Sequence, residues 1–189
     1  NPFIDPSPEV PILDTFIRAD ENPLRQGSNW ASLDAGAREL MILSNVMEAS
    51  STFDDTNSHG SYYAAKNFGG DVRVALTIKN FHTFNSLSQM EMHVKSVGSN
   101  PHSGYVFRWF YDLGVSENHK LHFRRRDSGT DTNLGSITNW VPAVDDEVHA
   151  SFNNNSAGTL TGYQNGVQVL TTTDTIYKDQ TGYVGIEIN

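Results

Sequence analysis

VHASFNNNSAGTLTGYQNGVQVL, residues 148–170, is the stretch whose reading decides the fold. Val148, Ala150 and Phe152 alternate with polar residues, the period of a strand with one buried face. A loop of Asn, Ser, Ala and Gly follows. Two strand-like runs then flank Asn165-Gly166. Asn-Gly is a strong hairpin signal, because a type I′ turn needs positive φ at both central residues. Strand, loop, strand, tight turn, strand is the grammar of an antiparallel sheet.

The same grammar extends outward. DVRVALTIKN (71–80) sets Val72, Val74, Leu76 and Ile78 against Arg73, Thr77 and Lys79. QMEMHVKSV (89–97) sets Met90, Met92 and Val94 opposite Glu91, His93 and Lys95. KLHFRRRD (120–127) points Leu121 and Phe123 inward and His122, Arg124 and Arg126 outward. GYVFRWFYDL (104–113) has aromatics on both faces, so its inward face stays open. ELMILSNVMEA (39–49) reads as one strand apolar on both faces, and GYVGIEI (182–188) as a closing apolar strand. Residues 34–38 suit a short helix or turn. Short strands punctuated by turn residues, with no long helix and no tandem repeat, point to a sandwich or barrel.

Composition narrows the function. The 189 residues fit one domain, large enough to build a core without staples. There is no cysteine, which removes disulfides, thiolate metal sites and a cysteine nucleophile. The net charge of −9 repels phosphate backbones, so nucleic acid is not an expected partner. No apolar run is long enough for a bilayer-spanning helix, so no membrane insertion is expected. The chain opens on Asn1 rather than Met, and its natural start is expected upstream.

Residues 1–12, NPFIDPSPEVPI, carry Pro2, Pro6, Pro8 and Pro11. Proline fixes φ and lacks an N–H, so this segment reads as an extended arm before a domain at 13–189. One reading makes it a linker. The other lays it on a neighbouring subunit through Phe3, Ile4, Val10 and Ile12. Beyond it, LDTFIRADENPLRQGSNW (13–30) has neither a helix period nor a catalytic signature.

Three places resemble the concanavalin A-like lectin/glucanase jelly roll, laminin G-like domains included. Asp14, Phe16, Arg18, Leu24 and Trp30 resemble an entry motif of phage-encoded and bacterial secreted members. Tyr163, Asn165 and Gly166 resemble the late hairpin, and Gly182 with Gly185 the final strand. The resemblance implies an all-β, two-sheet antiparallel jelly-roll sandwich. It also implies that TFIRA pairs near GYVGIEI, with Phe16 and Trp30 as core anchors.

The fold hosts glycosidases, which need paired carboxylates. The Glu-x-Asp-x-x-Glu strand of laminarinase-type members is missing here; strand 89–97 offers only Glu91. Alginate-lyase motifs are missing too, as is a Gly-x-Ser-x-Gly elbow. The expectation is a non-enzyme. A glycan-binding face would draw on Tyr105, Arg108, Trp109, His122 and Arg124. Calcium, which prefers clustered oxygens, has candidate ligands in Asp145, Asp146 and Glu147, and a second acidic pair in Asp54-Asp55. His93, His122 and His149 are a weaker zinc candidate. Arg124, Arg125 and Arg126, with Phe3, Ile4 and Val10, are candidate assembly contacts, since arginine is enriched at interface hot spots. Asn154-Asn155-Ser156 fits a glycosylation sequon. The leading expectation is a non-catalytic virion-surface module of a phage, a capsid decoration or tail-associated subunit that docks on other subunits or on itself. The alternative is a glycan-binding domain of a bacterial secreted or cell-surface protein.

Overall fold

The computed structural model describes residues 29–32, 40–43, 46–49, 59–65, 67–79, 88–97, 103–111 and 119–188. The arm and the entry motif up to Arg18 and Leu24, residues 34–38 and Asp54-Asp55 lie outside these. The described residues form β1 (Trp30–Ser32), β2 (Leu40–Leu43), β3 (Val46–Ala49), β4 (His59–Tyr63), β5 (Val72–Thr77), β6 (Ser88–Val97) and β7 (Ser103–Tyr111). They continue as β8 (Lys120–Asp127), β9 (Thr130–Thr138), β10 (Glu147–Asn153), β11 (Thr159–Gln164), β12 (Val167–Thr173) and β13 (Tyr183–Ile188).

The strands build a jelly-roll sandwich. A seven-stranded sheet runs β1-β4-β13-β6-β7-β8-β9, and a four-stranded sheet runs β12-β11-β10-β5. The pairings are antiparallel. The late hairpin forms as read: Asn165 and Gly166 both take positive φ, 51° and 77°, between β11 and β12. Its turn is tied back to β10, where the Glu147 N–H donates to Asn165 Oδ1 (2.9 Å).

Two readings change. Leu40–Leu43 and Val46–Ala49 are two antiparallel strands, not one: Leu43 pairs with Val46, and Ser44-Asn45 between them is a turn signal in the sequence. Gly185–Ile188 pairs with β4 on one edge and with β6 on the other, and TFIRA, expected near it, lies outside the described residues. Strands β4 and β9, HGSYY and TDTNLGSIT, carry too little apolar alternation to announce themselves. β9 takes its order from pairing with β8 and from the other sheet, where Thr172 Oγ1 donates to the Leu134 carbonyl (2.8 Å).

Between the sheets, Val72, Val74, Val148, Ala150, Phe152 and Leu160 meet Met92, Tyr105, Phe107, Trp109, Leu121 and Phe123. Tyr105 stacks on Phe152 (centroids 5.2 Å), and Trp109 meets Trp140 edge-on (5.7 Å). Trp30 is a core anchor, packed with Leu40 and Ile186 in a second cluster. Fully burying an aromatic of this kind contributes about 1.5–3 kcal/mol.

The sheets approach closely at Gly162. A Cβ built there would lie 2.4 Å from a Phe107 ring carbon. Gly162→Ala is therefore expected to destabilise the domain by about 1–3 kcal/mol through overpacking, read as a lower urea midpoint. An unchanged midpoint would mean that the Phe107 ring is free to move aside.

Candidate functional site

The inward turn of Tyr105, Phe107 and Trp109 forces their neighbours outward, because side chains alternate along a strand. The outer face of the seven-stranded sheet therefore collects Glu187 from β13, Glu91 and His93 from β6, Arg108 and Phe110 from β7, His122, Arg124 and Arg126 from β8, and Asp131 and Asn133 from β9. The register sets them side by side: Glu187 opposite Glu91, Glu91 opposite Arg108, Arg108 opposite His122, and Arg126 opposite Asp131.

One half of this face is a buried ion network. Glu91 and His93 are both 0% exposed. Arg108 pairs with Glu91 and with Asp131, the latter at 2.7 Å. Arg126 reaches Asp131 (2.8 Å), Glu91 (3.1 Å) and Glu187 (3.7 Å). His93 Nε2 lies 3.2 Å from Glu187 and 3.5 Å from Glu91. Burial pushes the Glu91 carboxyl up, and Glu187 adds to this, against His93, Arg126 and Arg108. Burial also raises Asp131, but its hydrogen bond from Arg126 and the charges of Arg126 and Arg108 outweigh it and hold the group at about 2.

The other half opens toward β9. Arg108 and Arg124 set their guanidinium carbons 5.5 and 5.6 Å from the Phe110 ring centroid, and His122 meets that ring edge-on at 5.5 Å. Asn133, Ser136 and Thr138 beside them are exposed. A half-buried ring flanked by planar cations, an imidazole and amide groups can stack on an apolar sugar face and hydrogen-bond its hydroxyls.

Of the sequence candidates, Arg108, His122 and Arg124 come together here, while Tyr105 and Trp109 do not. Those two are 0% and 5% exposed between the sheets, so they do not share a ligand with the outer three. Phe110 supplies the ring instead. A signal for it existed: Tyr105, Phe107, Trp109 and Tyr111 share one parity, and Phe110 stands alone on the other.

The arginine run is engaged within the chain. Arg124 pairs with Asp131, Arg125 with Asp127 and Asp174, and Arg126 with Asp131. The acidic turn is likewise held by protein donors. Asp145 takes Lys79 (2.7 Å), Glu147 takes Arg73 and His149, and Asp146 accepts from Ala143 N, Gln164 and Asn165, each at 2.6 Å. Among the described residues, the acid–histidine group whose ligand atoms converge within 4.8 Å is a different one, Glu91, His93 and Glu187. Its carboxylates already face Arg108 and Arg126. The three histidines separate: His93 and His122 lie two strands apart, and His149 sits in the other sheet, its ring 4.2 Å from that of Tyr163.

No protein-family model matches the sequence, and no curated protein matches it. Solved structures do match in fold. A carbohydrate-binding module, CBM66 from Bacillus subtilis, superposes with a TM-score of 0.59 at 11% identity, over 87% of this chain and 90% of that one. The carbohydrate recognition domain of Emp46p in its metal-free form gives 0.57 at 10% identity, over 85% and 80%. A Bacillus licheniformis beta-glucanase gives 0.54 at 13% identity, over 89% and 83%. The chain has the concanavalin A-like fold, a scaffold shared by sugar-binding domains and an enzyme.

Two acid transitions follow from the site. Burial, then Arg124, pushes His122 from 6.5 down to about 4. The unfolded chain takes that proton first, so stability falls as pH drops from about 6.5 toward about 4. Asp131 runs from 3.8 to about 2; its contribution is complete above about 4 and lost between about 4 and about 2. In urea midpoints against pH, His122→Gln is expected to flatten the first window and leave the second.

Proposed function

We propose that this domain is a non-catalytic recognition module that binds glycans on the outer face of its seven-stranded sheet, displayed outside the cell or on a cell surface. The observation that carries this reading is the Phe110 ring, framed by Arg108, His122 and Arg124 at the open end of that face. Fold likeness to sugar-binding domains supports it, and by itself names no ligand.

The carboxylates favour binding over catalysis. Glu91 and Glu187 are neighbours across β6 and β13, as a glycosidase pair must be. Both lie against Arg126, and Glu91 also against Arg108. A general acid and a nucleophile must be free to act at the scissile bond, and these two are instead held in an ion network.

A place on a phage virion is a setting in which such a module is displayed. It rests on the arm at 1–12 and on the entry motif. The arginine run lends it less support, because each of its guanidiniums has a carboxylate partner in the same chain. Calcium at Asp145, Asp146 and Glu147 would have to displace Lys79, Gln164 and Asn165, so sugar binding at the Phe110 face is proposed to proceed without it.

A glycan array probed with the full chain is expected to return bound saccharides, and Phe110→Ala is expected to abolish that binding in a domain that still folds, its urea midpoint lowered only by the loss of a half-buried ring, about 1 kcal/mol. Addition of EDTA is expected to leave it intact. Full binding by Phe110→Ala would remove this face from the reading.

A further inference from the structure

Resting on that reading of the face, we infer that the saccharide it takes carries an anionic substituent, a carboxylate or a sulfate ester, received by Lys120 beside the Phe110 ring. Lys120 shares the outward parity of His122, Arg124 and Arg126 on β8. The register sets it directly opposite Phe110 on β7 and Thr138 on β9. It is half-buried, and its ammonium meets no carboxylate among the described residues. Every other described lysine and arginine is engaged. Arg73 is held by Glu147, Lys79 by Asp145, Lys178 by Asp179, and Lys95 by the Lys178 carbonyl. The arginines of β7 and β8 are all held by acids.

The charges of the face leave the same remainder. The guanidiniums of Arg108, Arg124 and Arg126 meet the carboxylates of Glu91, Asp131 and Glu187. Lys120 is a further cation on that face, and among the described residues no further acid answers it. In a chain of net charge −9 this is a local positive excess, and it lies at the open end of the face, not in the closed network. His122, its neighbour on β8, feels the excess. Burial, and then the charges of Arg124, Arg108 and Lys120, push the imidazole down to about 4, so it adds no charge of its own at neutral pH.

The spacing suits a substituent on the exocyclic carbon of a sugar. Residues directly opposite one another on paired strands have Cβ atoms about 4.5–5.5 Å apart. A pyranose laid by its C–H face on Phe110, with its exocyclic carbon turned toward β8, sets that group within reach of the Lys120 stem. A neutral hydroxymethyl there accepts an ordinary hydrogen bond. An anion accepts a charge-assisted one, which is stronger. An ammonium is a compact point charge without the planar fork of a guanidinium, so it receives a carboxylate and a sulfate ester by the same chemistry.

The test is NMR on the full chain, titrated with methyl glycosides of glucose, galactose and mannose, with the corresponding uronates and with the corresponding 6-sulfates. At least one neutral glycoside is expected to move the Phe110 ring signals. Its uronate or its 6-sulfate is expected to move the same signals and to bind about fivefold more tightly, the size of a partly exposed ion pair; which of the two gains tells a carboxylate from a sulfate. Added salt is expected to shrink that advantage by screening. Lys120→Gln is expected to remove the advantage, leave the neutral glycoside's affinity unchanged and keep the urea midpoint. If neither anionic form binds more tightly than its neutral parent, or if the advantage survives Lys120→Gln, the assignment to Lys120 is overturned and the face remains a glycan site. If no saccharide moves the Phe110 signals, the face itself is overturned with it.

Discussion

The packing of Phe107 against the bare backbone of Gly162 sets the geometry from which the rest follows. It lets β7 lie close to the four-stranded sheet, and it commits the parity of β7. With Phe107 inward, Tyr105 and Trp109 go inward and Arg108 and Phe110 go outward. The antiparallel register carries that choice to both neighbours, so Glu91 and His122 flank Arg108 on the outer face. A one-residue slip would place charged side chains in the core and rings in the ion network. Core and site are therefore two faces of one constraint.

The outer face is divided by electrostatics. Where carboxylates from β6, β9 and β13 meet arginines from β7 and β8, the charges satisfy one another and the surface is closed. Breaking one member of such a network leaves an uncompensated buried charge, which is strongly destabilising. That gives these residues a structural role even though Glu91, His93 and Glu187 have the spacing of a metal or catalytic group. Past Asp131, among the described residues, the face turns to a ring, an imidazole and the exposed Asn133, Ser136 and Thr138. The proposed recognition face lies at that boundary, where the network positions Arg108 and Arg124 beside the Phe110 ring.

The late hairpin illustrates a second kind of coupling. Asp146 accepts from Gln164 and Asn165, and Gln164 Oε1 in turn accepts from the Trp140 indole (3.0 Å). The acidic turn that reads in sequence as a calcium site is a clasp holding the β11–β12 turn and the Trp140 segment together. An acidic cluster and a metal site look alike in sequence because the same oxygens serve hydrogen-bond donors and cations.

The sequence by itself determined the fold class and most of the core. Alternation at Val72, Val74, Ile78 and at Val148, Ala150, Phe152, and the Asn165-Gly166 turn, are local signals that survive folding because a one-sided sheet needs them. It also carried Arg108, His122 and Arg124 as site candidates. Tertiary structure decided which side chains those residues meet. It chose the buried parity of the aromatic strand, which local pattern left open because both faces carry rings. It ordered β9, a polar strand recruited by its neighbour, and so delivered Asp131 to three arginines. Periodicity reports which side of a strand is apolar. Which charges meet from β13 across to β9 depends on register and strand order, and those are set by long-range pairing that no short stretch encodes.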